Sequence, residues 1–265
     1  MKSKTKKRSP LKEKPLRYAG QSIDAQIDDL RATALFYFMY PVFLLTYIFL
    51  RWIEQTFPPS KSSIAIPPYI GTLFFFGVIA YCVIKLIQIF NKLKTLAMAR
   101  DGEKIVAERL QELIKKDATV LNDIQGDKFN VDHVVISPHG IYLIETKTYS
   151  KPTKKDAVIF FDNENVYVDG RVVERKPIRQ AKALSKWLQE LLEKSTGLKL
   201  FVKPVVLFPG WFVEKMKGDE EVWILNDKAL PTFIENEPIK FKDTEVHLIA
   251  FHLSRYIRTF EPKGK

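Results

Sequence analysis

Two uncharged, largely apolar runs, residues 32–50 and 64–84, constrain this chain more than any other feature. They hold 19 and 21 residues. At 1.5 Å of rise per residue, each is long enough to cross about 30 Å of hydrocarbon as a helix. Tyr37, Tyr40, Tyr47, Trp52, Tyr69, Tyr81 and Lys85 lie in or beside these runs, and such groups favour a membrane–water boundary. The alternative is a pair of buried core helices. The first run does not read as a cleaved leader: it is too long, ends in Arg51-Trp52 and lacks a small-residue cleavage site. Nine Lys/Arg lie in residues 1–31, against Arg51 and Lys61 in the loop 51–63. Lys85, Lys92, Lys94, Arg100 and Lys104 follow the second run. The positive-inside rule therefore predicts both termini in the cytoplasm of a multi-pass inner-membrane protein, with a short outer loop.

The expected organisation is a basic cytoplasmic tail at 1–31, disordered over residues 1–20, and a transmembrane hairpin at 32–90, with helices at about 32–50 and 64–86. A folded core at 101–208 and a C-terminal extension of the same domain at 209–265 follow. About 165 residues after the hairpin suffice for one sizeable core. The formal net charge of +11 suits polyanions, either nucleic acid or an anionic lipid leaflet. The single cysteine, Cys82, excludes intramolecular disulfides and a cysteine-based zinc site.

Beyond the apolar runs, Asp101-Gly102 reads as a break that opens a helix to about Lys116, with Asp101 as N-cap and Val106, Leu110 and Leu113 as its apolar stripe. Strands follow at 119–124, 131–136 and 141–147, then a hairpin at 158–161 and 166–168. Pro177 starts a helix to about Lys194, stopped by Gly197, with a stripe through Ala181, Leu184, Leu188 and Leu191. Strands at 201–208 and 221–225, a short helix at 227–234 and a helix at 244–260 complete the chain. The last has Leu248, Phe251 and Ile257 as core candidates. The order predicts an α/β domain with a mixed sheet flanked by helices.

Pro138 and His139, before Gly140, mark a tight turn between two β-branched runs. A turn centred there pairs residues whose numbers sum to 277, which sets Asp132 opposite Glu145. Like charges facing one another are destabilising unless a cation lies between them. Both acids continue apolar faces, where an unpaired carboxylate is costly. Lys147, two residues on, shares the face of Glu145. Oxygen ligands of this kind suit a hard divalent cation, with the ammonium beside it to hold a water or a phosphate. A surface ion pair is the plain alternative. Glu103 falls on the stripe of Val106 and Leu110: either a carboxylate favoured by the helix dipole or an acid aimed at the hairpin.

Four blocks resemble the NERD, or nuclease-related domain, family: Gly102-Glu103; Asp132-His133-Val134-Val135-Ile136-Ser137-Pro138; Gly140-Ile141-Tyr142-Leu143-Ile144-Glu145-Thr146-Lys147; and Pro177-Ile178-Arg179-Gln180. The sequence departs from the family pattern at Asn130-Val131, where Gln-Ile or similar is expected, and at Lys176, where Asn is usual. The resemblance implies a restriction-endonuclease-like core and a site built from Glu103, Asp132, Glu145, Lys147 and Gln180. By itself, Gln180 reads equally as a capping or packing residue.

The expectation is a membrane-anchored, Mg²⁺- or Mn²⁺-dependent nuclease acting on DNA, or RNA, on the cytoplasmic side of a bacterial membrane. Asp132, Glu145, the Thr146 carbonyl and Glu103 would hold the ion, and Lys147 would orient or help deprotonate the attacking water. Lys151, Lys154, Lys155 and Arg179 are candidate phosphate-backbone contacts, with a solvated loop as the alternative for the lysines. Two other classes stay open: a catalytically inactive membrane-tethered module that binds nucleic acid or protein, and a structural membrane hairpin whose acids form a folding ion site.

Overall fold

The computed structural model describes residues 13–57, 68–151, 158–162, 164–174, 176–215 and 221–261. These fall into two compact units, one comprising 23–98 and the other the segment up to Ser22 together with residue 99 onward.

The smaller unit is helical. Helix α1 spans Gln21–Thr56 and α2 spans Pro68–Ile114, so both exceed the expected spans. They are paired by an edge-on contact of Tyr37 with Tyr81, by Trp52 Nε1 donating to Thr72 Oγ1 at 3.3 Å, and by Gly71 lying against Ile48. Their apolar windows are only 6% and 11% buried. The core helix of a soluble domain would be mostly buried, so two exposed apolar helices favour a membrane candidate over a protein core.

The expected break at residue 101 is absent: α2 continues through Asp101 and Gly102. Asp101 Oδ1 accepts hydrogen bonds from the Arg100 guanidinium instead of capping a helix. Gly102 has a packing reason. A Cβ there would stand 2.0 Å from Thr148 Cγ2, so the missing side chain is what allows the helix to approach the strand end so closely.

The larger unit is built on a five-stranded sheet in the order β1-β2-β3-β7-β9. Strands β1 (Thr119–Gly126), β2 (Phe129–Ser137) and β3 (Gly140–Thr146) form an antiparallel meander. Strands β7 (Val202–Leu207) and β9 (Trp223–Leu225) add in parallel to β3. The crossover between β3 and β7 includes helix α3, Pro177–Thr196, which starts at Pro177 and closes on Gly197 at φ +75°.

Side-chain alternation divides the sheet into two apolar faces. Leu121, Val134, Ile136, Ile141 and Leu143 meet α3 through Leu184, Leu188 and Leu192, and meet helix α5 (Asp243–Thr259) through Val246, Ile249 and Leu253. Val135, Tyr142, Ile144, Val205 and Leu207 meet the end of α2 through Val106, Leu110 and Leu113, and meet helix α4 (Leu230–Glu235). The result is helix, mixed sheet, helix, which fits a nuclease-like core.

Helix α5 presents a different face from the one expected. Leu248 and Phe251 are exposed, while Val246, Ile249, Ala250 and Leu253 are buried and Ile257 packs at the margin. Apolar residues occupy both sides of this helix, so spacing alone does not select the core side.

A second sheet runs β6-β5-β4-β8. Its hairpin, β4 (Val158–Phe161) and β5 (Val166–Val168), was expected. The short strands β6 (Arg171–Val172) and β8 (Phe212–Lys215) were not.

Candidate active site

The β2–β3 hairpin has the register read from its turn. His133 pairs with Ile144, Val134 with Leu143, and Ser137 with Gly140. Each pair sums to 277, so the next position sets Asp132 beside Glu145. Ser137 Oγ holds the turn, accepting from the His139 N–H at 3.2 Å.

Glu103, Asp132 and Glu145 are 5%, 7% and 4% exposed. Three nearly dry carboxylates are costly unless each is answered. Asp132 Oδ2 accepts the Thr146 N–H at 2.7 Å. Glu145 Oε1 accepts from Lys147 Nζ at 2.6 Å and from Gln180 Nε2 at 2.7 Å. Lys147 Nζ also donates to Gln180 Oε1 at 3.1 Å. Gln180 thus closes a triangle over the end of β3, which is more than a packing role. Among the described residues, Glu103 Oε2 and Glu145 Oε2 are buried without a hydrogen-bond partner.

The electrostatics follow the burial. Asp132 is pushed well above the usual carboxylate range, by burial first and then by the charges of Glu145 and Glu103. Glu145 is raised by burial, although Lys147 and Gln180 pull it down. Glu103 is raised to about 7, by burial and then by Asp123. Glu103 is buried and feels the charges of Asp123 and Glu145, which favours its inward reading over a simple helix-dipole effect.

Asp123, in β1, is a site neighbour that motif reading missed. It is fully buried and has φ +50°, the left-handed region that Asp tolerates better than most residues. The pairs on either side, Asn122 with His133 and Ile124 with Val131, keep the register, so Asp123 falls level with Asp132. Its Oδ1 accepts from Asn130 Nδ2 at 3.2 Å, which gives the departure at residue 130 a function. Its Oδ2 accepts from Arg17 Nε at 2.7 Å and from the Ser22 N–H at 3.0 Å. The available signal was a carboxylate two residues after Leu121, continuing an apolar face. Within the described residues 13–20 the expected disorder is corrected, since Arg17 docks on this acid and Ala19 and Gly20 are buried.

The candidate phosphate contacts fare unevenly. Lys151 is exposed, with its Nζ 5.6 Å from the Trp211 ring centroid, and Arg179 is exposed on the first turn of α3. Lys154 and Lys155 lie outside the described residues.

No group of three His, Cys, Asp or Glu side chains among the described residues forms a ready cage for a metal ion. The donor set still fits one. Carboxylate oxygens suit Mg²⁺ or Mn²⁺, and two buried carboxylate oxygens have no partner. Two acidic side chains with a backbone carbonyl would leave the remaining positions to water.

Comparison with curated proteins finds no match, and neither does comparison with solved structures. Residues 99–209, which contain all five acid, lysine and glutamine positions of the hairpin, α2 and α3, match the family described as NERD: nuclease-related domain.

Proposed function

We propose that this protein is a divalent-metal-dependent nuclease that hydrolyses phosphodiester bonds of DNA, or RNA. In this reading the two apolar helices tether it to a membrane, with both termini and the nuclease-like domain on the cytoplasmic side. The observation that carries the reading is the constellation at the end of β3. Asp132 and Glu145 stand side by side, Glu103 approaches from α2, and Lys147 and Gln180 close over Glu145.

Asp132, Glu145 and the Thr146 carbonyl would hold Mg²⁺ or Mn²⁺, with Glu103 completing the set directly or through water. The bound ion supplies Lewis-acid polarisation of the phosphate and lowers the pKa of a coordinated water. Lys147 donates a hydrogen bond to the attacking water or to a non-bridging phosphate oxygen, stabilising charge as it develops. Gln180 fixes the angle of Lys147 while holding Glu145 in place. The Thr146 N–H fixes the Asp132 carboxylate, so the acid's orientation is set by the strand backbone. Lys151, Lys154, Lys155 and Arg179 would position the phosphate backbone.

An inactive, tethered binding module is the second reading. It is favoured by the lack, among the described residues, of a three-side-chain cage. The test uses the full chain in detergent on supercoiled, linear and single-stranded substrates, with Mg²⁺, Mn²⁺ or EDTA. Metal-dependent cleavage lost in Asp132→Asn and Glu145→Gln is expected. Full metal-dependent cleavage by Asp132→Asn overturns the site assignment, and binding of nucleic acid without any cleavage favours the module.

A further inference from the structure

We propose that the arm preceding α1 is a working part of the acidic site, with Arg17 as its positioning residue. The inference rests on the nuclease reading for its kinetic consequence but on geometry for its substance. Two groups of the arm and one in the first turn of α1 reach two buried acids. Arg17 approaches Asp123 Oδ2 with Nε at 2.7 Å and Nη2 at 2.5 Å. The Ser22 N–H donates to the same oxygen at 3.0 Å. The Gly20 N–H donates to the carboxylate of Glu103. Arg17 Nη2 also donates to Ser22 Oγ at 3.1 Å, tying the two ends of the arm's contact together.

This is a built arrangement rather than a chance surface pairing. Asp123 is fully buried, and the Arg17 side chain is 21% exposed. Gly20 adopts φ +79°, and a Cβ there would stand 3.1 Å from Arg100 Cγ. A glycine therefore both permits the left-handed backbone that turns this N–H toward Glu103 and leaves room for Arg100. A guanidinium presents a planar fork, so it can serve Asp123 and Ser22 Oγ at once, which a lysine ammonium on a flexible stem does less well. The Glu103 carboxylate is thus placed from two sides, by α2 and by the arm. Outer partners of this kind orient ligating carboxylates, and losing one costs about 10–100-fold in metal affinity or activity.

The arm has a second tie at its far end, where Arg258 Nη1 donates to Glu13 Oε2. This provides a control that loosens the arm without touching Asp123. The experiment compares Arg17→Ala, Arg17→Lys and Arg258→Ala with the wild type, as full chains in detergent. Mn²⁺ binding, kcat and KM for a plasmid substrate, and hydrogen exchange of residues 99–106 in EDTA are measured. Arg17→Ala is expected to weaken Mn²⁺ binding and lower kcat by about 10–100-fold with KM little changed. It should also raise exchange around Glu103. Arg17→Lys should recover part of each effect, and Arg258→Ala should alter none. If Arg17→Ala does not fold, Arg17→Ala/Asp123→Asn, which leaves no unpaired charge on Asp123, takes its place with the same expectations.

Wild-type Mn²⁺ affinity and kcat in the Arg17 variant would overturn the proposal and leave the arm as packing. If the wild type neither binds Mn²⁺ nor cleaves, the nuclease reading fails separately, and hydrogen exchange decides the positioning claim. A rise at residues 99–106 in Arg17→Ala but not in Arg258→Ala supports it; no rise, or an equal rise in both, refutes it.

Discussion

Replacing Lys147 with Met removes the cation from Glu145 while keeping most of the side-chain volume. In the wild type, Nζ lies 2.6 Å from Glu145 Oε1, with the two side chains 15% and 5% exposed. Removing one partner of a buried pair costs about 3–5 kcal/mol. Here the cost has a ceiling, because Glu145 can bind a proton instead of remaining charged. Its ordinary pKa is 4.5. Protonating it at pH 7 spans 2.5 units, or about 3.4 kcal/mol at 1.36 kcal/mol per unit. At pH 5.5 the span is one unit, and the ceiling falls to about 1.4 kcal/mol. Burial raises Glu145 in the wild type too, so the variant should lose up to about 3 kcal/mol at pH 7 and less than half as much at pH 5.5. Glu145→Gln/Lys147→Met leaves no unpaired charge and should lie within about 1 kcal/mol of the wild type. The assay is denaturant unfolding of the full chain in detergent and EDTA, followed by tryptophan fluorescence, across the four members of the double-mutant cycle. A loss below 1 kcal/mol at pH 7, a loss that does not shrink toward pH 5.5, or additive single effects would refute a buried pair.

Metal-free stability should fall as pH rises from 5 to 8, because Glu103 has a folded pKa of about 7 against an ordinary 4.5. Its proton is held more tightly in the fold and its ionisation opposes folding; Glu103→Gln should reduce that fall by ~2.5 kcal/mol, and an unchanged pH slope would contradict the assignment. Lys176, the N-cap of α3, has φ +36° and makes no side-chain cap bond. Asn tolerates that conformation and can cap, so Lys176→Asn should raise stability by ~1 kcal/mol in thermal or denaturant unfolding. Gly102→Ala should lower the melting temperature and Mn²⁺ affinity together, since its Cβ would meet Thr148 Cγ2 at 2.0 Å. A neutral Gly102→Ala would mean that α2 does not press on the strand end.

The hairpin acids were legible because the signals were local. A two-residue turn and strict alternation determine which residues face each other, so Asp132 and Glu145 follow from the chain between them. The mixed sheet and α3 were legible for the same reason, through alternating strands, Pro177 and Gly197. What stayed hidden depends on distant partners or on space. Arg17 and Asp123 are 106 positions apart, and no spacing rule links them. Gly102 looked like a break because a glycine that opens a loop and one that admits a neighbouring strand are the same letter. On α5, Leu248 and Phe251 misled because apolar residues lie on both of its sides, and only the position of the sheet selects the buried one.

The same 106-residue separation also orders events during synthesis. Arg17 leaves the ribosome long before Asp123 exists, and both apolar helices emerge in between. Closing a loop of that length as a flexible coil costs ~4 kcal/mol of chain entropy. Pairing of the two helices first removes most of that loop, since residues near 23 and 98 are then no longer free ends of a coil. The arm therefore docks once β1 has been made, and at lower entropic cost when the helices are already paired. In a nascent chain whose apolar helices have not yet paired, the contact of Arg17 with Asp123 bears the whole loop-closure cost, so pairing of the two helices favours completion of the acidic cluster.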